Sequence, residues 1–200
     1  REMAATVNAS AKQLLSLITD VLDFSQLEEA KLTIDSGPFD LHRVLYATRL
    51  MLRGQARAKR LALRLVIGAD VPRTLVGDGR RLQQALTNLM ANAVKFTETG
   101  WVSLVASKVG EADGRVIVRF EVTDTGIGIP ADRLLTVLQP FERIDSAYTR
   151  GQEGTGLGLS LVDALVKGHG GTLAIDSTVD VGTRVRITLP TVKQTSGMAA

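Results

Sequence analysis

The chain has 200 residues, of which 44% are hydrophobic, a formal net charge of +3 and no cysteine. This length and apolar content suffice for one large domain, or one domain with an appendage, and exclude a disordered chain. The absence of cysteine excludes disulfides, thiolate nucleophiles and Cys-ligated zinc. No apolar run approaches the roughly 18 to 20 residues that cross a bilayer, and no signal-peptide pattern is found. We expect the chain to be cytoplasmic and to make no membrane contact of its own. We also expect it to be the cytosolic part of a membrane-bound protein.

The first 32 residues carry the stripe of an amphipathic helix. Apolar residues recur at spacings of three and four, and additional leucines widen the stripe beyond what a lone surface helix needs. The stripe comprises Met3, Val7, Leu14, Leu17, Ile18, Val21 and Phe24, and the additions are Leu15, Leu22 and Leu27. Such a helix needs partners, most simply in a helical bundle. We expect residues 1–32 to form this helix, residues 33–190 the main domain, and residues 191–200 a linker or tail.

Helix and strand patterns alternate from residue 33 onward. Helices are predicted from Asp40 to about Arg60, after an Asp78 cap and from Thr155 to Lys167, with a short one from Ala131 to Val137. Strands are predicted at 61–67, 74–76, 101–109, 116–123, 172–177 and 183–189. Helices on one face of a mostly antiparallel sheet give an α+β fold, a two-layer α/β sandwich, preceded by the long amphipathic helix.

Three polar or glycine-rich segments follow one another in this domain. In the first, Asn88 and Asn92 are four residues apart on one predicted helix, so their amides share a face, and Lys95 lies one further turn along. Amide oxygens suit a hard cation such as Mg²⁺, and a lysine suits phosphate. Helix amides are also common surface residues. The combined spacing nevertheless favours a phosphate and magnesium site.

The second segment, Asp124 to Pro130, begins where a strand ends. An ionised carboxylate only accepts hydrogen bonds, so Asp124 can accept the exocyclic amino group of adenine and would reject guanine. Gly126 and Gly128 allow close approach of the backbone to the base and angles closed to other residues. The alternative is that Asp124 only caps its own turn.

The third segment contains Gly154, Gly156 and Gly158 just before a predicted helix. A helix N-terminus presents free N–H groups and a positive dipole end to phosphate. The spacing is not that of a dinucleotide fingerprint, although Asp176 imitates its acidic partner, and the lysine of a P-loop is absent. We expect Leu157 and Leu159 to have core side chains.

The order of these segments resembles the ATP-binding catalytic domain of sensor histidine kinases. Asp78 to Thr97 looks like the N box, Asp124 to Pro130 like the G1 box, Pro140 to Arg143 like the F box and Gly154 to Leu159 like the G2 box. The resemblance covers nearly the whole chain and implies binding of ATP with Mg²⁺, with Asn92 as the magnesium ligand and Asn92 and Lys95 as catalytic residues. The ATP-binding residues that it implies are Asn88, Asn92, Lys95, Phe96, Asp124, Gly126, Gly128, Arg143, Gly154, Thr155, Gly156, Leu157 and Gly158.

The chain departs from that family's pattern at the phosphoacceptor. Residues 17–28 look like the second helix of the dimerisation domain, but the helix that carries the acceptor histidine is missing. Neither His42 nor His169 has the acceptor's sequence context. We therefore expect the acceptor outside this chain, a homodimer through the helical bundle, and a response regulator or receiver domain as partner. A nucleotide-binding but catalytically idle regulatory module is the alternative.

Related ATPases of the gyrase, Hsp90 and mismatch-repair type place a glutamate one turn before the magnesium asparagine. Here that position is Asn88, whose amide cannot act as a general base, so transfer is favoured over hydrolysis.

Two further stretches carry weaker signals. Residues 144–153 are polar and poor in core formers, which predicts a lid over the nucleotide or a plain surface loop. Arg143 or Arg150 could then reach the γ-phosphate, and Phe141 would anchor the lid or belong to the core. The arginines Arg49, Arg53, Arg57, Arg60 and Arg64 predict a solvated basic face. With only 4% aromatic residues, nucleic-acid binding is not expected.

Overall fold

The structure is a computed structural model that describes residues 34–112, 114–142 and 155–193. The predicted long helix, the predicted lid, Arg143 and Gly154 lie outside the described residues. Within the described ranges, no helix combines the length and the apolar character needed to cross a membrane.

Three helices and seven strands make up the described part. The helices are α1 (Leu41–Ala58), α2 (Gly79–Phe96) and α3 (Gly158–Gly168). The strands are β1 (Gly37–Asp40), β2 (Ala62–Ile67), β3 (Thr74–Gly77), β4 (Trp101–Ala112), β5 (Arg115–Asp124), β6 (Thr172–Thr178) and β7 (Gly182–Lys193).

The strands form one sheet in the order β1-β3-β7-β5-β4-β2, with β6 also pairing with β7. All pairs are antiparallel except β2 with β4. The long strand β7 organises the sheet because it pairs with β5 and β6 and then continues to β3. The mostly antiparallel sheet predicted from the sequence is confirmed.

Alternation along the strands places the core on one face of the sheet. In β5, Val116, Val118, Phe120 and Val122 are buried while the residues between them are partly exposed. The three helices cover the buried face, with α2 packed between α1 and α3. This is the two-layer α+β sandwich that the sequence predicted.

Both predicted aspartate caps are present. Asp40 Oδ1 accepts from the Arg43 backbone N–H at 2.9 Å, and Asp78 Oδ1 accepts from that of Arg81 at 2.9 Å. Each carboxylate thereby satisfies one of the free donors at a helix start. In the case of Asp40, that hydrogen bond is the main cause that holds the pKa of the carboxyl below its usual value.

Four local predictions differ from the structure. Strand β1 was not predicted, because its four residues include Pro38 and show no clear alternation. Strand β7 runs through Lys193, so residues 191–193 belong to the sheet instead of starting a tail, with Thr191 opposite β5 and the last two residues paired with β3. Ala131–Arg133 and Thr136–Leu138 are separate 3₁₀ turns, not one helix. Helix α3 begins at Gly158, three residues later than predicted.

The late start of α3 has a local cause. Gly156 has a φ of +73°, which a right-handed helix cannot contain, and the Thr155 hydroxyl accepts from the Leu157 N–H at 3.3 Å. Residues 155–157 therefore form a turn that leads into α3.

The predicted basic face lies on α1 and beyond it. Arg49, Arg53, Arg57, Arg60 and Arg64 are all exposed. The Arg64 guanidinium lies 5.2 Å from the centroid of the Trp101 ring, within cation–π range.

A candidate nucleotide site between two helices and a glycine loop

Helix α2 carries the polar face that the sequence predicted. Asn88, Asn92 and Lys95 are all partly buried on this helix, whose other faces supply core residues. The Asn88 Nδ2 atom is buried and has no hydrogen-bond partner among the described residues. A buried amide donor without a partner is costly and is expected to meet a ligand or water oxygen.

The N-terminus of α3 meets this face. A Cβ built on Gly158, the first residue of α3, would lie 3.6 Å from Asn92 Nδ2. Free N–H groups at the start of α3 are thus next to the amide predicted to bind the metal. Two segments more than 60 residues apart in sequence converge on one spot.

Asp124 closes β5 and holds the start of the glycine loop. Its Oδ1 accepts from the Gly126 N–H at 2.8 Å and from the Thr183 N–H at 3.3 Å. No hydrogen bond from the described residues reaches Oδ2. The carboxylate therefore does cap its own turn, as the alternative proposed, and still has an oxygen available to a ligand donor.

Burial raises the pKa of Asp124, and the hydrogen bonds from Gly126 and Thr183 oppose that rise only in part. Because the pKa in the folded chain lies above that in the unfolded chain, this group makes stability fall as the pH rises through the interval between the two values. A hydrogen-bond donor at Oδ2 would favour the ionised form and offset this penalty.

The glycines of the loop pack against protein backbone, and their close approach to the base stays a prediction. A Cβ on Gly126 would lie 2.5 Å from the Phe96 carbonyl oxygen, and one on Gly128 would lie 2.1 Å from that of Thr178. Gly128 has a φ of +69°, as predicted for a residue in the left-handed region. Both glycines therefore seat the loop between the end of α2 and the β6–β7 hairpin.

Hydrogen bonds hold the 124–130 loop in the same position. The Ile127 N–H donates to the Phe96 carbonyl at 3.3 Å, and the Asp180 N–H donates to the Ile127 carbonyl at 2.9 Å. The Ile129 N–H donates to the Ser177 hydroxyl at 2.7 Å. The loop, α2 and the hairpin thus form one rigid frame around Asp124.

The aromatic and apolar residues of the site differ in how deeply they are buried. Phe96 is partly buried, and the Lys95 ammonium lies 4.8 Å from the centroid of its ring. The Leu157 side chain is fully buried, as predicted for a core residue. Phe141 is 62% exposed, so the alternative that it belongs to the core is wrong. Its backbone lies against Gly156, where a Cβ would be 2.7 Å from the Phe141 carbonyl carbon.

Lys59 is a residue of this site that the sequence did not single out. Its Nζ donates to the Lys95 carbonyl at 2.7 Å, to the Thr97 carbonyl at 3.2 Å and to Glu98 Oε1 at 3.2 Å. It therefore caps the C-terminal end of α2, where a cation also matches the helix dipole. Since these partners are 36 residues or more away, only its position at the end of α1 hinted at this role.

We expect Lys59→Met to lower the free energy of unfolding by about 1 to 3 kcal/mol, because it leaves carbonyls at the end of α2 without a donor. Urea unfolding measures this change. Arg57→Met removes an exposed cation two residues earlier and is the matched control, with an expected change within about 0.5 kcal/mol. Equal losses in both variants would contradict the capping role.

The described residues contain no group of three or more His, Asp, Glu or Cys side chains that could hold a metal ion on its own. A magnesium ion here would depend on an amide oxygen, water and the phosphates of a ligand. Mg²⁺ is commonly bound in this way, with few protein ligands. The asparagines of α2, the orphaned Asn88 amide and the N-terminus of α3 fit a magnesium–phosphate group.

The sequence profile described as histidine kinase-, DNA gyrase B- and HSP90-like ATPase matches residues 77–193, which is more than half of the chain. The chain belongs to this ATPase family. The match begins at the end of β3 and ends with β7, and thus includes α2, the 124–130 loop and α3.

Relatives of this chain include a sensory/regulatory protein and a signal transduction histidine-protein kinase. The chain is 41% identical over 191 residues to the sensory/regulatory protein RpfC of Xanthomonas campestris pv. campestris, covering 95% of this chain and 26% of the relative. It is 40% identical over 177 residues to the signal transduction histidine-protein kinase BarA of Escherichia coli, covering 88% of this chain and 19% of the relative. The chain thus spans about a fifth to a quarter of the length of these relatives.

Solved structures agree with this assignment. Full-length ShkA in complex with AMPPNP superposes with a TM-score of 0.81 at 30% identity, covering all of this chain and 41% of that one. The Acinetobacter baumannii histidine kinase AdeS has the same fold, with a TM-score of 0.70 at 21% identity, covering 95% of this chain and 83% of that one. The predicted resemblance to the catalytic domain of sensor histidine kinases is confirmed.

Proposed function

We propose that this ATPase domain binds Mg²⁺–ATP between α2, the 124–130 loop and α3, and that it transfers the γ-phosphate to a histidine outside these 200 residues. The observation that carries the proposal is the meeting of Asn92 with the start of α3, 3.6 Å from the position of a Gly158 Cβ. The full protein would then be a sensor histidine kinase.

In this proposal, different residues of the site would contact each part of the nucleotide. Asp124 Oδ2 would accept the adenine amino group, and Phe96 would lie beside the base. Asn88, Asn92, Lys95 and the N–H groups at the start of α3 would face the phosphates, with Asn92 as a ligand of the metal. Bound Mg²⁺ would supply positive charge to the phosphate oxygens as negative charge develops.

The site positions charge, but the residue one helical turn before Asn92 is not a general base. Asn88 occupies the helical turn before it, and an amide cannot accept a proton from water at neutral pH. Phosphoryl transfer depends mainly on positioning and charge neutralisation, which this site is built to provide. The site therefore favours transfer to a presented acceptor over hydrolysis.

The two histidines of the chain are poor acceptors. His169 Nδ1 lies 2.7 Å from the Leu165 carbonyl and must be the donor, because a carbonyl oxygen only accepts. The Nε2 atoms of His42 and His169 are both buried. A phosphoryl group could not reach Nε2 of either ring without local unfolding. This supports an acceptor outside the chain.

The remaining partners follow from the same assignment. The acceptor histidine would lie in a helix that pairs with residues 1–32, in a bundle that forms a homodimer. The phosphoryl group would pass from there to a response regulator or receiver domain in the cytoplasm. Residues 1–32 would be the second helix of the dimerisation domain, and residues 33–190, with the rest of β7, the catalytic domain.

Phosphoryl transfer is tested with a chain extended upstream by the histidine-bearing helix, labelled with γ-³²P-ATP and treated with acid. We expect acid-labile phosphate in the extended chain and none in the 200-residue chain. Labelling of His42 or His169 in the short chain would contradict an external acceptor. If the extended chain binds ATP but stays unlabelled, the idle-module alternative is correct.

We expect Asn92→Ala to lower magnesium-dependent ATP affinity about tenfold or more, since it removes an oxygen ligand from a charged centre. Calorimetry with and without Mg²⁺ measures the loss. Gln83→Ala, on the same helix but against Met51 of α1, is the matched control and should bind like the parent. The same affinity for Asn92→Ala and the parent would exclude Asn92 as the metal ligand.

A further inference from the structure

A cavity lies at the other end of the sandwich from the proposed nucleotide site. It has a volume of about 250 Å³ and is bounded by β1, β3, the start of α2, the end of α3 and β7. Asp78 at the start of α2 lines it, and Asn92 is 14 residues further along that helix, which corresponds to about 20 Å. The cavity is therefore separate from the proposed ATP site.

Most of its wall is apolar. The side chains of Phe39, Leu75, Leu82, Phe120 and Leu189 line it. Four of these are almost fully buried, and the ring of Phe39 lies against Gly79, where a Cβ would approach within 2.8 Å of it. An engineered apolar cavity of about 150 Å³ binds benzene, so 250 Å³ can hold a single ring with a short substituent.

The charged residues that line the cavity are acidic. Among the described residues, Asp35 and Asp78 line the cavity and no lysine or arginine does. Neither carboxylate forms an ion pair with a described residue, although the chain as a whole carries a net charge of +3. An apolar cavity with two carboxylates selects against anions such as nucleotides and favours a cation.

Asp78 is the group that a ligand would meet. It is only 4% exposed, and its Oδ1 is used by the Arg81 N–H. Among the described residues, only the Asp35 N–H donates to its Oδ2, over a long 3.3 Å. A buried carboxylate oxygen accepts more than one donor, and one that is left short of partners is costly.

His169 adds a second acceptor. Since its Nδ1 donates to Leu165, Nε2 of the neutral ring is an acceptor, and it is buried without a partner among the described residues. The groups at this cavity that lack a partner or have only a weak one are therefore acceptors. The complementary ligand brings donors and an apolar body.

We propose that this cavity is a binding site for a small organic amine with one aromatic ring, its ammonium on Asp78 and its ring among Phe39, Leu82 and Phe120. The site is independent of the proposed ATP site and of phosphoryl transfer. Because Ile34, Asp35 and Ser36 form part of its wall, an occupant would contact the stretch that joins residues 1–32 to the domain.

The test uses 2-phenylethylamine as the probe, with the 200-residue chain in amide NMR and calorimetry. We expect a dissociation constant on the order of 1 mM or tighter, as for a good ligand of about nine heavy atoms. Shifted amides should cluster at β1, β3, the start of α2 and His169. The anionic analogue 3-phenylpropionate should bind at least about tenfold more weakly, since its carboxylate would face two carboxylates.

Asp78→Asn is the decisive variant, because asparagine keeps the helix cap through its amide oxygen and replaces the charged Oδ2 acceptor with a neutral donor. We expect it to weaken the amine about tenfold or more while ATP affinity stays unchanged. Asp70→Asn, an exposed carboxylate outside the cavity, is the matched control and should bind like the parent. Leu75→Phe, which fills the cavity, should also abolish binding.

Three results would overturn the proposal. They are equal binding of the amine and the carboxylate, unchanged amine affinity in Asp78→Asn, and shifts confined to residues around Asn92 and Asp124. If no amide signal shifts at amine concentrations about 20 to 30 times the expected dissociation constant, which is on the order of 1 mM, the site is excluded as well.

Discussion

Asp124→Asn is expected to weaken ATP binding by about 1.5 to 3 kcal/mol, or roughly 10- to 140-fold. The asparagine oxygen can still accept from the Gly126 and Thr183 N–H groups, so the frame of the site is kept. Its amide nitrogen, however, would place a donor where the adenine amino group also donates. Calorimetry with ATP and GTP measures the loss and shows whether the preference for adenine disappears.

Asp180→Asn is the control for this experiment. Asp180 is exposed at the turn before β7 and has a φ of +60°, which asparagine tolerates well. Removing its charge should leave ATP affinity within about twofold of the parent, as for a screened surface charge. If the parent binds GTP as tightly as ATP, or if Asp124→Asn binds ATP normally, Asp124 does not recognise the base.

Local rules predicted the elements that carry this site. Asp40 and Asp78 were recognised as caps because a short acceptor side chain before an apolar helical repeat satisfies free N–H groups. Asn88 and Asn92 were placed on one face because helical spacing alone decides it. The alternation in β5 showed which face of the sheet is buried.

The features that the sequence did not predict depend on contacts between distant segments. Lys59 meets the end of α2 across 36 residues. Gly126 and Gly128 pack against the carbonyls of Phe96 and Thr178, contacts that no local pattern predicts. The pairing of β7 with β3 likewise extends a strand into residues that read as a polar tail. In each case the packing of the whole domain determines the partner, and the local sequence pattern does not reveal it.

Gly128→Ala is expected to lower the free energy of unfolding by about 3 kcal/mol or more, from backbone strain and overpacking combined. Its φ of +69° disfavours any side chain, and the new Cβ would lie 2.1 Å from the Thr178 carbonyl oxygen. The nearest atoms, from Thr178 and Val179, are all backbone, so no side chain can rotate away. The loop also cannot shift freely, because Ile127 and Ile129 on either side are hydrogen-bonded to the β6–β7 hairpin.

Gly114→Ala separates the effect of backbone strain from that of overpacking. Gly114 has a similar φ of +73°, but a Cβ there would meet nothing within 4 Å. Its replacement should therefore carry only the cost of the left-handed conformation, about 1 kcal/mol. Urea unfolding of both variants isolates the contact with Thr178 as the difference between them. Since the same loop carries Asp124 against α2, Gly128→Ala should also weaken ATP binding and Gly114→Ala should not. Equal losses of stability in the two variants would mean that the hairpin yields, and that Gly128 does not fix the loop.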